Sequence, residues 1–253
     1  MSNVYLYYEY VVLFICVLFY STFFSVRYNI NDTWNDYQNK DIKSSMIFLG
    51  VLISFELLIS YLDMAAQCQG GISGMTVLYV IIVWVLLLGG IQIFMLSNPG
   101  IKSAFSDVIG YYYIYGKANR ILSELLNPIS TKESDPDIKK YTSEVIGDKA
   151  LYINTMVPAN FEKMWKSLDN MSDPQIGPED KLKYKQELLN CVVIRDRIGE
   201  CCWYVWTGIL CISILSVHAS TINCPLSQAQ LQQNAQAYTA TDTSPNTEVY
   251  VAD

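Results

Sequence analysis

No lysine or arginine occurs in residues 1–26, 44–101 or 198–253; all 17 lie in 27–43 and 102–197. These gaps coincide with four apolar windows, at 10–26, 46–62, 75–96 and 201–217. A hydrocarbon core of about 30 Å takes about 20 mainly apolar residues as a helix, with a lower limit near 17. Inside it each backbone N–H and C=O must be satisfied within the segment, so windows of this length cross as helices. The pattern predicts an all-α integral membrane protein with four transmembrane helices and a small helical domain between the third and the fourth. Three windows are at the short end, so aromatic anchors at the lipid–water boundary are expected. Tyr5, Tyr7, Tyr8, Tyr10 and Tyr28 flank the first window, Tyr61 closes the second, and Trp203, Tyr204 and Trp206 open the fourth.

Composition agrees with that reading. Charged residues are 16% of the chain and hydrophobic ones 51%, against roughly 25% charge in an ordinary soluble domain. Four crossings place segments 27–45 and 97–200 on one side of the bilayer. These hold three basic residues (Arg27, Lys40, Lys43) and the other fourteen, respectively. The N-terminus, the turn 63–74 and the tail 218–253 hold none. The positive-inside tendency then puts both basic segments on the cytosolic face, and the sequons at Asn31 and Asn170 are expected to stay unglycosylated there. The first window follows no basic n-region and no small-residue cleavage site succeeds it, so it reads as a retained span. Ser2 stands where N-myristoylation needs glycine.

The predicted organisation is a three-helix membrane region over 1–96 with its basic loop 27–45, then a helical extramembrane domain over 97–200. A fourth membrane helix at 201–217 continues a helix that begins at 178, and a polar tail occupies 218–253. Within the domain, helices are expected at 117–126, 137–150 and 159–168, with a polar loop at 132–137. Pro178 suits a first helical position, and Glu179 and Asp180 complement the positive end of the helix dipole. Only Gly199 interrupts the run from there into the fourth window, so one rod of about 60 Å is expected at 1.5 Å per residue. Gly70, Gly71 and Gly74 make a tight hairpin between the second and third spans. Gly89-Gly90 would let a neighbouring helix approach closely. The tail, rich in Gln, Asn, Thr, Ser and Ala, is expected to be ordered only by neighbours in an assembly.

Several function classes drop out. A net charge of −7 without a basic run argues against nucleic acid as a partner. Seven cysteines without a CxxC pair, and a single histidine, His218, make a zinc site improbable. The chain has no GxSxG, HExxH, P-loop or GxGxxG pattern, so neither an enzyme nor a cofactor is expected. Glu56 lies near the middle of the second window, where an ionisable group costs about 3 kcal/mol on insertion scales and marks a functional candidate by default. It reads either as a proton or ion site or, preferably, as intramembrane polar packing against Gln92 of the third window. Cys201 and Cys202 open the fourth span, where S-acylation occurs, or serve there as small apolar residues. Cys68 and Cys224 fall on one side of the bilayer and would pair if that side is oxidising.

The stretch NPGIKSAFSDVIGYYYIYGKANRILSELL follows the third window directly. Pro99, Gly100, Phe105, Ser106, Gly110 and Tyr111, followed after the last span by Cys224, Ser227 and Gln230, resemble a family of multi-spanning virion membrane proteins of nucleocytoplasmic large DNA viruses. That family often has an aromatic where Ile101 stands and a proline where Ala104 stands. The resemblance covers the third and fourth spans, the region between them and the start of the tail, and says little about 1–73. It implies a minor capsid component of the inner virion membrane, inserted in a host endomembrane during assembly. Many copies would lie beneath an icosahedral shell, contacting minor and also major capsid proteins. Pro99-Gly100 would turn the chain out of the bilayer. Phe105, Tyr111, Tyr112, Tyr113 and Tyr115 would then form the partner contact, as tyrosines offer wide amphipathic area. Two other readings are a tetraspanin-like membrane organiser and a small channel or transporter using Glu56. The tetraspanin order of loops is present, but 97–190 has no cysteine for the disulfides of that large loop.

Overall fold

The computed structural model describes residues 3–68, 72–126, 145, 147–221, 224, 232–233 and 236. The described residues are helical, with no strand among them. Helix α1, Asn3–Phe19, runs into a π-helical turn, Tyr20–Phe24, and stops where Ser25 turns extended. Helix α2 is Trp34–Gln67. Thr33 caps it: its hydroxyl accepts from the Asp36 amide at 3.2 Å and donates to the Asp36 carboxylate at 2.7 Å, satisfying one of the helix's free donors. Helix α3 spans Gly74–Ser97, is capped by Ser73, and contains a π-helical stretch at Val83–Gly89. After a one-residue break at Asn98, α4 (Pro99–Phe105) begins with proline at its first position. A π turn, Ser106–Gly110, joins it to α5, Tyr111–Leu125. Then come α6 (Lys149–Thr155), α7 (Phe161–Met171) and α8 (Pro178–Thr221).

Three of these helices are long and apolar enough to cross a membrane: Trp34–Ala66, Gly74–Ser97 and Pro178–Thr221. The first window, expected as a fourth span, forms the shorter apolar helix Tyr7–Phe23. The exit of the backbone from the helix at Ser25 limits it at that end. It nonetheless lies alongside the others. Tyr20 meets Ser45 and Glu200, Glu9 meets Ser60, and Leu13 packs on Gly208. α1 is thus antiparallel to α2 and α8. α3 is also antiparallel to both, since Trp84 meets Ser60, Gly89 faces Ile53 and Gln92 meets Thr207. The four helices bury one cluster that includes Leu13, Tyr20, Phe48, Leu52, Trp84, Tyr204 and Ile212. Their outward faces are apolar too, among them Ile15, Leu58, Leu86 and Leu210. An apolar band that wide is costly in water and matched in lipid.

α8 has 44 residues and therefore measures about 66 Å. Its N-terminal half carries the extramembrane domain. There Leu188, Leu189 and Val192 pack with Ile121, Leu122 and Leu125 of α5, Ile153 of α6, and Phe161, Trp165 and Leu168 of α7. The basic loop contributes as well: Tyr28 and Tyr37 are buried in the same cluster, stacked with ring centroids 4.4 Å apart. Gln186 ties that loop to α8, accepting from the Ile30 amide at 3.1 Å and donating to the Tyr28 carbonyl at 3.2 Å. The expected loop at 132–137, most of the helix expected at 137–150, and nearly all of the tail lie outside the described residues.

Gly199, the one interruption of the run into the fourth window, sits inside an unbroken helix. Its role is contact: a Cβ there would fall 2.8 Å from the Ser106 Cβ and 2.9 Å from its backbone nitrogen. Gly110 is equally tight, 2.5 Å from the Arg195 carbonyl oxygen. The π turn therefore lies backbone to backbone on α8. Gly90, one of the pair expected to admit a neighbour, has nothing within 4 Å of such a Cβ, and Gly89 meets only the Ile53 side chain at 3.5 Å.

Candidate functional site

Two features stand where α8 leaves the apolar bundle: a buried ionic junction and an exposed tyrosine stripe. The junction draws on four parts of the chain. From α8 come Asp196, Arg197 and Glu200, from α2 Asp41 and Ser45, from the end of α1 Tyr20, and from α4 Lys102. Lys102 donates to Asp196 at 3.0 Å and lies 3.7 Å from Glu200. Arg197 donates to Glu200 at 2.9 Å and also engages Asp41 and the Tyr20 hydroxyl. Glu200 further accepts from Tyr20 at 2.8 Å and Ser45 at 3.1 Å.

Burial alone would lower the Lys102 amine pKa, but Glu200 and Asp196 outweigh it and hold that pKa above the ordinary 10.5. Charges taken out of water are retained only when paired and hydrogen-bonded, and removing one partner strands the rest. The junction therefore fixes the apolar bundle, α4 and α8 in one arrangement.

Arg195 makes a second lock. It is 1% exposed and donates to the carbonyls of Ile153 at 2.5 Å and Met156 at 2.6 Å, at the C-terminal end of α6. The Ile153 carbonyl also accepts from the Met156 amide at 3.1 Å, and the guanidinium adds a charged donor where a helix leaves its last carbonyls short of partners. Arg195 and Arg197 are two of the fourteen basic residues that put segment 97–200 on the cytosolic face in the sequence reading. Their burial inside the protein was not legible, although the close spacing of Arg195, Asp196, Arg197 and Glu200 directly before the apolar run 201–217 carries a signal for it.

The expected partner residues divide. Tyr112 is 86% exposed, Tyr113 73% and Tyr115 54%. With Val108 and Ile109, also exposed, they follow helical spacing along one face of the π turn and α5. Tyr111 is half-buried against the domain core and meets Tyr115 edge-on at 5.8 Å. Phe105 turns inward, T-shaped on Trp203 at 5.1 Å, so it braces α4 on α8 and is not a free contact. Gly100 is exposed at the start of α4. Pro99 is the first residue of α4, and where a turn was expected there is a one-residue break at Asn98 from which the helix restarts at once.

Inside the bundle, Glu56 and Gln92 are both buried, at 0% and 1% exposure, but they do not bond to each other. Gln92 donates to Thr207 at 3.0 Å, and neither Glu56 oxygen has a hydrogen-bond partner. The antiparallel register is the reason. With Gly89 level with Ile53 and Trp84 with Ser60, Gln92 comes level with residues near 51, more than a helical turn from Glu56. The sequence missed the polar set that does form, in which Trp84 donates to Ser60 at 3.1 Å and Ser60 to Glu9 at 3.1 Å.

Cys201 and Cys202 both line an apolar groove between α1 and α8, beside Phe14, Leu18, Phe105 and Trp206. Cys68 and Cys224 are joined in a disulfide with Cα atoms 5.2 Å apart, at the end of the bundle opposite the junction. Among the described residues no group of three or more His, Cys, Asp or Glu is placed to hold a metal ion. The chain matches no protein-family model, no curated protein and no solved structure.

Proposed function

We propose that the chain is a structural protein of a viral inner membrane, crossing the bilayer four times and holding its helical domain at a fixed height towards an icosahedral capsid layer. The observation that carries this reading is α8: one helix of 44 residues whose N-terminal half is domain core and whose C-terminal half is membrane span. A tether that must transmit position needs stiffness at the membrane exit. The ionic junction, the Arg195 lock and the glycine contacts all lie within Arg195–Glu200 or directly against it. The three apolar helices suit membrane integration, and the alignment of α1 alongside them supports a fourth crossing. The disulfide at the end without lysine or arginine supports the orientation, as disulfides persist in oxidising compartments and basic segments stay cytosolic. The exposed tyrosine stripe is then the contact for a shell protein, in keeping with the enrichment of tyrosine in interfaces.

The test is mass spectrometry of particles of the encoding virus after detergent stripping of the membrane. The wild-type chain is expected to stay with the protein shell. The double variant Tyr112→Ala/Tyr113→Ala, altered only at exposed positions, is expected to be released with the lipid. Equal retention of both chains rules out the stripe as the contact, and release or absence of the wild type overturns the structural role.

A further inference from the structure

A small cavity of about 100 Å³ opens beside the ionic junction, between the start of α2, the α3–α4 break and the loop before α7. Its apolar wall includes Leu96, from the end of the apolar stretch of α3, and its opposite wall includes Ala159 of the extramembrane domain. The cavity therefore lies at the depth where α3 leaves the bilayer, which is where lipid headgroups are found. Trp34, Tyr37, Asp41, Asp196 and Lys102 also line it.

Charge decides what fits. The junction holds three carboxylates, Asp41, Asp196 and Glu200, against two cations, Lys102 and Arg197. Arg195, which also acts on Asp196, is matched by Asp107, so carboxylates outnumber cations by one and a cation in the cavity would offset them. Two of the three carboxylates, Asp41 and Asp196, face the cavity, each hydrogen-bonded to its junction cation through one oxygen. Trp34 and Tyr37 complete the wall, one face of the Tyr37 ring being covered by Tyr28, and aromatic rings are favourable neighbours for a cation. An anion would meet the excess negative charge, which excludes an acidic headgroup.

We propose that this cavity binds the ammonium of an ethanolamine phospholipid, with Asp41 and Asp196 accepting its N–H groups and Trp34 and Tyr37 flanking it. A primary ammonium brings three donors to carboxylate acceptors, whereas a quaternary choline brings none and is bulkier. Lys102 on the same cavity suits the zwitterion, since the phosphate that follows the ammonium gains a cation. The ammonium would face the two acids and the phosphate would face Lys102, and the bound lipid would seal the seam between the bundle and the domain. The inference concerns the membrane exit alone and stands whether or not the chain serves a capsid.

Native mass spectrometry of the full chain, delipidated in detergent and titrated with single lipids, tests it. Phosphatidylethanolamine is expected to bind at least tenfold more tightly than phosphatidylcholine or phosphatidylglycerol of the same acyl chains. Substituting the junction acids risks unfolding the protein, so the second arm fills the cavity from its exposed rim with Ala159→Trp. That variant is expected to keep the wild-type circular dichroism and lose the tenfold preference. Equal affinity for the three lipids in the wild type, or an undiminished preference in a folded Ala159→Trp, overturns the proposal. Displacement of the bound phospholipid by an equal concentration of free ethanolamine would overturn the assignment to a lipid.

Discussion

Replacing Gly110 by alanine isolates the close approach that seats the extramembrane domain on its rod. The glycine has ordinary right-handed helical angles, φ −63° and ψ −44°, so alanine meets no backbone strain. Its extra carbon would lie 2.5 Å from the Arg195 carbonyl oxygen, 2.9 Å from Arg195 Cγ and 3.1 Å from the Arg195 carbonyl carbon. Two of these are backbone atoms of a continuous helix and cannot swing aside. Overpacking of this sort costs about 1–3 kcal/mol, and a rigid obstacle belongs in the upper half of that range. Alanine returns about 0.8–1.0 kcal/mol of helix propensity, leaving about 1–2 kcal/mol of net destabilisation.

Gly116 in α5 is the control, because it is exposed and a Cβ there has nothing within 4 Å. Gly116→Ala should gain about 0.5–1 kcal/mol from propensity alone. The readout is labelling of Cys191, a 2%-exposed thiol in the domain core, by a maleimide under native conditions with peptide-resolved mass spectrometry. Where local opening limits labelling, Gly110→Ala should react about 5- to 30-fold faster and Gly116→Ala about two- to five-fold slower than wild type. Labelling of Gly110→Ala at the wild-type rate or below would refute the argument that a backbone contact holds the domain in place.

Glu200→Ala should destabilise the protein by about 3 kcal/mol, because Lys102 and Arg197 each lose one of two carboxylates and the buried Tyr20 and Ser45 hydroxyls lose a shared acceptor. Thermal unfolding in detergent would reveal this as a large downward shift, and an unchanged midpoint would show that the buried pairs contribute nothing. For the crossings, a sequon engineered into the 63–74 turn should be glycosylated in microsomes, while Asn31 and Asn170 should remain bare. Modification of Asn31 with Asn170 bare would place the segments 27–45 and 97–200 on opposite faces and eliminate the four-span topology.

Much of the architecture is written in local sequence. Charge-free apolar windows forecast α2, α3 and the membrane half of α8, since the penalty for an unpaired backbone group or a charge in lipid is paid residue by residue. Pro178 with its two acids marks where α8 begins, and Asn98-Pro99 marks where the chain leaves the third helix. The stripe of Tyr112, Tyr113 and Tyr115 was also recoverable, because exposure on one helix follows from helical spacing.

Pairing of polar groups across the fold was not recoverable, although the Cys68–Cys224 link was among the sequence's candidates. Glu56 and Gln92 have the right chemistry for each other, but the antiparallel register of α2 and α3 sets them more than a turn apart. Arg195 and Arg197 look like headgroup-facing cations, yet chain segments up to 177 residues away, at Tyr20, wrap around them. Gly199 reads only as an interruption of the apolar run, whereas in the fold it lets Ser106 touch the rod. Local free energies fix where helices form and which ones suit lipid. Which polar groups are buried, and with whom, depends on contacts between distant segments, and those exist only once the helices have packed.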